Sequence, residues 1–260
     1  MPFDLVSQKP WNAPSEISWK PPVHTMLNVE ERRMLRWLTR EHYNGDGAIV
    51  DAGCFLGGST MSLAQGLREG KHQGKIDSFD LFLADEYAAS IWGGALDFRV
   101  GESFRHIFDR YTKPYADLIR VHSGDVTSRP WNGGPIEILF VDLAKTTQIN
   151  DFLIQEMFTN LTPGRSILIQ QDYLHYHLPW IHITMEKLRG HFALLCDTEY
   201  NSVVFGCIKI ISCADAEHAT WFAMTAEERT GLMNQAIRRW TGVKREYLIG
   251  ALAALSLTAP

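Results

Sequence analysis

The chain has 260 residues, 45% of them apolar, and a formal net charge of −5; that suffices for one sizeable core. Without a Lys/Arg block, the acidic balance argues against nonspecific nucleic-acid binding. No window reaches the roughly 18 to 20 apolar residues that a membrane helix needs, and MPFDLVSQKPW has no basic start followed by an apolar run, so a cytoplasmic protein without membrane contact is expected.

Residues 1–24, rich in Pro and Trp (Trp11, Pro14, Trp19, Pro21, Pro22), predict an irregular arm. Asn28 with Glu31 three residues on forms a capping-box pattern, and Met34, Leu35 and Leu38 give the helix after it an apolar stripe. From Gly47 short apolar strands alternate with helices. Strands are predicted at 48–51, 75–80, 118–122, 136–141 and 166–169, and helices at 59–67, 102–111, from Asp142 to about Leu161, and 180–188. Two more strands, 192–196 and 203–210, flank the polar DTEYNS and read as an antiparallel pair. The tempo predicts an α/β fold, a mostly parallel sheet covered on both faces. Residues 214–257 read as two helices, the first capped by Thr225. The expected organisation is an arm and helix over 1–45, a core over 46–212 and a helical extension over 213–260.

The four cysteines (Cys54, Cys196, Cys207, Cys213) show no CxxC pair and no zinc spacing, and reduced thiols are expected. In the extension, Arg238, Arg239, Lys244 and Arg245 read as a solvated basic face. The apolar run Tyr247–Leu257 needs cover, from its own core or from a second subunit in a homodimer.

The segment VDAGCFLGGST, Val50–Thr60, carries the most information. A strand delivers Asp51 to the sheet edge, Gly53 permits a sharp turn, and Gly57 and Gly58 let the backbone approach a ligand. Ser59 and Thr60 open a helix whose first N–H groups face the same point. Gly53 has no glycine two residues later, which disfavours a dinucleotide fingerprint, and no Gly-Lys-Ser/Thr follows, which excludes a P-loop.

An acid two residues before the first glycine, and a second glycine four residues after it, resemble motif I of the class I S-adenosylmethionine-dependent methyltransferases. Over roughly 46–211 the resemblance implies a Rossmann-like doubly wound sheet of seven strands, order 3-2-1-4-5-7-6, strand 7 antiparallel. It implies a cofactor site of Asp51, Gly53, Gly57, Gly58 and Ser59, with Asp80 on the ribose (Asp77 being the alternative). Gly124 and Asp125 of HSGDV would meet the adenine, and Asp142 of FVDLAKT would lie beside the sulfonium.

Asp142-Leu-Ala-Lys145 further resembles the D-x-x-K of catechol-type O-methyltransferases, where the acid binds Mg²⁺ and the lysine helps deprotonate a hydroxyl. Their Asp-Asn pair reads Gln171-Asp172 here, a departure that removes a carboxylate from a metal set of Asp142, Gln171 and Asp172. In a metal-free version Asp172, His175 or His177 takes the proton, with Lys145, Asp172 and His175 as the catalytic group. Trp92, Tyr173, Tyr176 and Trp180 are candidate walls for a small-molecule acceptor such as a sugar or secondary metabolite, under a lid over 81–100 hinged at Gly93 and Gly94. His182 reads as a packed core histidine.

Two rival readings remain. A nicotinamide-dependent oxidoreductase would use Asp80 for its own ribose, but the glycine spacing and the antiparallel last pair count against it. A methyltransferase-fold binding module without turnover is kept open by Gln171.

Overall fold

The computed structural model describes residues 3–17 and 24–255. Trp19, Pro21 and Pro22 of the expected arm lie outside them. Seven strands form one sheet: β1 (Ala48–Ala52), β2 (Ile76–Asp80), β3 (Ile119–Ser123), β4 (Ile136–Val141), β5 (Ile167–Gln170), β6 (Phe192–Asp197) and β7 (Val203–Cys207). The order is β3-β2-β1-β4-β5-β7-β6, as expected. The chain divides into two compact units, residues 10–129 and residues 1–9 with 130–260.

In the first unit β1 pairs parallel with β2, and β2 with β3. β1 carries the buried apolar pair Ile49 and Val50, whereas β2 and β3 interleave Asp77, Ser78, Arg120 and His122 with apolar residues such as Ile76. Helix α1 (Val29–Trp37) opens with the expected capping box: Asn28 Oδ1 accepts from the Glu31 N–H and Glu31 Oε2 from the Asn28 N–H, each at 2.9 Å. Its stripe Met34, Leu35 and Leu38 is fully buried. Helix α2 (Gly58–Glu69) follows the glycine loop, and α3 (Arg105–Thr112) precedes β3. The described part of the arm departs from irregular structure, forming short helical turns at Asp4–Ser7, Pro10–Asn12 and Pro14–Ile17. Residues 86–96 also coil into helical turns rather than an open loop. Gly93 is required there because a Cβ would lie 2.5 Å from the Phe98 carbonyl oxygen.

In the second unit all six residues of β4 are buried. β4 pairs parallel with β5, and β7 runs antiparallel to both β5 and β6. Within the hairpin Cys196 faces Val204 and Cys207 faces Phe192, so the two thiols sit at different rungs. All four cysteines are free. Helix α4 (Thr147–Glu156) begins only where Thr146 caps it, five residues later than expected. Helix α5 (Pro179–Lys187) starts on its proline and is buried over eight of nine residues.

The C-terminal region holds three helices rather than two: α6 (Cys213–His218), α7 (Ala226–Arg238, capped by Thr225 as expected) and α8 (Gly242–Leu255). The basic cluster is not merely solvated. Arg239 grips buried Glu186 of α5 through two 2.7 Å hydrogen bonds, and Lys244 pairs with Asp197. Leu248 and Ala251 of α8 are fully buried within the chain. No described helix is long and apolar enough to cross a membrane.

Candidate functional site

In the first unit, β1 carries a buried carboxylate at its penultimate position. Asp51 is fully buried, its Oδ2 accepts from Ser59 Oγ (2.9 Å) and Thr60 Oγ1 (2.5 Å), and its Oδ1 has no hydrogen-bond partner. Burial pushes its carboxyl up to about 7, the two hydroxyls working against the shift and the charge of Asp80 adding to it. The Ser59 hydroxyl is thus turned onto Asp51.

Gly53 (φ 105°) and Gly57 (φ 95°) occupy the left-handed region, which is why the turn needs glycine. At Gly57 and Gly58 protein side chains also come close to the backbone. A Cβ on Gly58 would lie 2.2 Å from Thr25 Oγ1, and one on Gly57 would lie 2.8 Å from Thr112 Cγ2. Helix α2 starts with neither a side-chain cap nor an acid in its own first turn, and the nearby carboxylate is Asp51, held by the Ser59 and Thr60 hydroxyls of that turn.

Asp80 closes β2, its Oδ2 accepting from the Phe55 N–H (2.8 Å) and its Oδ1 from the Phe82 N–H (2.7 Å). Asp77 is taken by Arg120 (2.7 Å) and His122 (2.8 Å), which leaves Asp80 as the acid at the loop. Gly124 (φ 112°) donates to the Asp80 carbonyl at 3.0 Å, and a Cβ there would meet open space. Asp125 Oδ1 accepts from the Thr127 N–H (2.9 Å), capping the turn Val126–Ser128.

The second unit gathers the acceptor-side candidates. The rung Val141–Gln170 ends the β4–β5 ladder, and the Gln171 N–H still reaches the Val141 carbonyl at 2.9 Å. The chains therefore leave side by side, and Asp142 and Asp172 meet on one ammonium: Lys145 Nζ donates to Asp142 Oδ1 at 2.6 Å and to Asp172 Oδ2. Desolvation works to lower the Lys145 pKa, but the charges and hydrogen bonds of the two carboxylates overcome it and hold it well above the usual lysine range. Gln171 Oε1 is buried without a partner.

These residues do not fit a Mg²⁺ site. The ammonium already bridges both carboxylates, glutamine replaces the further acid, and among the described residues no group of three His, Cys, Asp or Glu is placed to hold a metal.

His175 is half-buried, and its Nδ1 accepts from the His177 N–H at 3.2 Å. Desolvation lowers its pKa, with Asp172 pulling the other way. His182 is fully buried and pushed down to about 4 by that burial, in keeping with a core histidine.

A cleft of about 440 Å³ opens beside Lys145. Of the expected aromatic walls only Trp180 lines it. Tyr173 is 2% exposed and packed against His182 and Trp240, Tyr176 projects outward, and Trp92 belongs to the first unit beside His24. Thr146, Thr147 and Gln148 line the cleft as well, and the wall of Trp221, Phe222, Met224 and Arg229 escaped the sequence reading. Its one signal was the dense aromatic pair Trp221-Phe222 ahead of the Thr225 cap.

No family model matches the chain, and no curated protein matches it. Among solved structures, the O-methyltransferase NovP aligns with a TM-score of 0.55 and 14% identity, over 77% of this chain and 88% of its own. A methyltransferase of Podospora anserina solved with SAH, PaMTH1, aligns with a TM-score of 0.47 and 14% identity, over 80% and 89%. The strand order, the antiparallel seventh strand and the likeness to NovP identify the fold as the Rossmann-like fold of the class I S-adenosylmethionine-dependent methyltransferases.

Proposed function

We propose that the protein is an S-adenosylmethionine-dependent methyltransferase acting on a hydroxyl of a small molecule. The observation that carries this reading is Lys145, held as an ammonium by Asp142 and Asp172 at the ends of β4 and β5.

The first unit offers chemistry that fits the cofactor. The partnerless Oδ1 of Asp51 suits the ammonium of an amino-acid moiety, Asp80 suits ribose hydroxyls, and the open face at Gly124 and Asp125 suits the adenine. Gly53, Gly57, Gly58 and Ser59 then act by shaping the loop and fixing Asp51. S-adenosylmethionine supplies an electrophilic methyl group when bound.

The second unit supplies the acceptor's chemistry. An ammonium has three donors, and two of those on Lys145 are spent on carboxylates. The third stabilises the oxyanion that develops as the hydroxyl loses its proton. Asp172 takes that proton. His175 is less suited to do so, because the bond to its Nδ1 places the neutral ring's proton on Nε2, where it donates rather than accepts. Asp142 holds Lys145 in place from the other side.

The test is methyl transfer from labelled S-adenosylmethionine to a panel of hydroxylated sugars and aromatics. Transfer by the wild type, with Lys145→Met at least about a hundredfold slower, supports the reading; no transfer to any hydroxyl of the panel, with transfer to amines tested beside it, counts against O-methylation.

A further inference from the structure

The cleft beside Lys145 has an uneven charge balance. None of its lining residues is acidic, and the charge of Lys145 is already met by Asp142 and Asp172. Arg229 is different. It is half-buried, its Cζ stacks 4.2 Å over the Trp221 ring, and its Nε reaches the Thr225 carbonyl at 3.4 Å. Among the described residues no ion pair involves it, and a stacked, oriented guanidinium of this kind presents its remaining N–H fork to whatever enters the cleft. The lining also includes Thr147 and Gln148 in the first turn of α4, which contains no acid.

The walls specify the rest of the ligand. Trp180 and Trp221 stand edge to face, 6.4 Å apart at 89°, and both are largely buried. Phe222, next to Trp221, is 71% exposed and lines the cleft. Flat aromatic walls favour planar ligands, and the volume falls in the range of small-molecule sites.

We propose that this cleft is the acceptor subsite and that it selects planar aromatic molecules bearing an anionic group, a carboxylate or its equivalent, which pairs with Arg229 while the rings lie against Trp180, Trp221 and Phe222. The assignment as an acceptor subsite rests on the methyltransferase reading; the anion selectivity does not.

The experiment titrates the full-length protein with 6-hydroxy-2-naphthoate and, separately, with its neutral amide, following ligand fluorescence. The acid is expected to bind at least about tenfold tighter than the amide. Arg229→Ala should bring the two within about threefold of each other, Arg229→Lys should restore part of the preference, and Trp221→Leu should weaken both ligands. Equal binding of acid and amide by the wild type, or a preference that survives Arg229→Ala, would overturn the proposal. S-adenosylhomocysteine is titrated into the same proteins. If it binds while the naphthoate does not, the subsite proposal falls alone. If the naphthoate binds through Arg229 while S-adenosylhomocysteine does not, the anion site stands and the methyltransferase reading falls.

Discussion

Lys145 Nζ donates to Asp142 Oδ1 at 2.6 Å across three residues of a loop, and the same nitrogen reaches Asp172 from the next strand. A cation shared by two carboxylates is held in position and kept charged, and its proposed role is therefore electrostatic rather than basic. Replacing Lys145 by Met should lower kcat by about 10²- to 10³-fold while leaving affinity for S-adenosylhomocysteine within about twofold. Arg should restore part of the rate. Steady-state kinetics with titration of the product decides it; an unchanged kcat would remove Lys145 from the chemistry.

The same pairing sets the expectation for metal. A divalent ion would have to displace the ammonium to reach Asp142 and Asp172, and Gln171 offers only a neutral oxygen. Turnover should therefore change by less than about twofold on chelation with EDTA or on adding millimolar Mg²⁺. In Lys145→Ala the bare carboxylates should gain Mg²⁺ affinity, visible as a rise in melting temperature absent from the wild type. A wild-type rate abolished by EDTA would contradict the lysine-bridged arrangement.

Two buried groups make opposing contributions to the pH dependence of stability. Asp51 moves from 3.8 to about 7 on folding, so between those values the native state keeps a proton the unfolded chain releases, and stability falls as pH rises. His182 moves from 6.5 to about 4, so the unfolded chain holds the extra proton in that window and stability rises with pH. Each slope is at most ~1.4 kcal/mol per pH unit. Their windows overlap between about pH 4 and 6.5, where the two cancel. Relative to wild type, Asp51→Asn should uncover a rise and His182→Leu a fall, in urea unfolding at pH 4.5, 5.5 and 6.5. Variant curves parallel to the wild type would show that neither group titrates as described.

Gly58 is glycine because of Thr25. A Cβ at 58 would lie 2.2 Å from Thr25 Oγ1 and 2.6 Å from its Cβ. Gly58→Ala should cost about 1–3 kcal/mol by overpacking, and adding Thr25→Gly should recover part of it. A coupling of about 1 kcal/mol or more in this double-mutant cycle is expected; strict additivity would mean the contact is not made.

Local patterns carried most of the fold. Ile136–Val141 was legible from its apolar run because a strand buried on both faces needs nothing else, and the Asn28–Glu31 box because capping is written within four residues. Boundaries set by particular hydrogen bonds were not. β7 stops at Cys207, short of Ile210, because its partner β6 begins only at Phe192, and the helical turn Arg189–His191 before it offers 209–210 no strand to pair with. At the site, D-x-x-K was visible as spacing, but its closure by Asp172 depends on strands lying side by side. Arg229 and Trp221 were invisible because tertiary contacts place them, among them the Trp221 N–H on Asp151 Oδ1 at 2.8 Å. The contacts at the loop glycines were hidden for a similar reason: Thr25 and Thr112, distant in sequence, crowd Gly58 and Gly57.

The most direct test of the central claim is calorimetric titration of the wild type and Asp80→Ala with S-adenosylhomocysteine. Binding in the micromolar range, about −8 kcal/mol, weakened at least about tenfold by Asp80→Ala, is the predicted result. A folded wild type that binds no S-adenosylhomocysteine would contradict it.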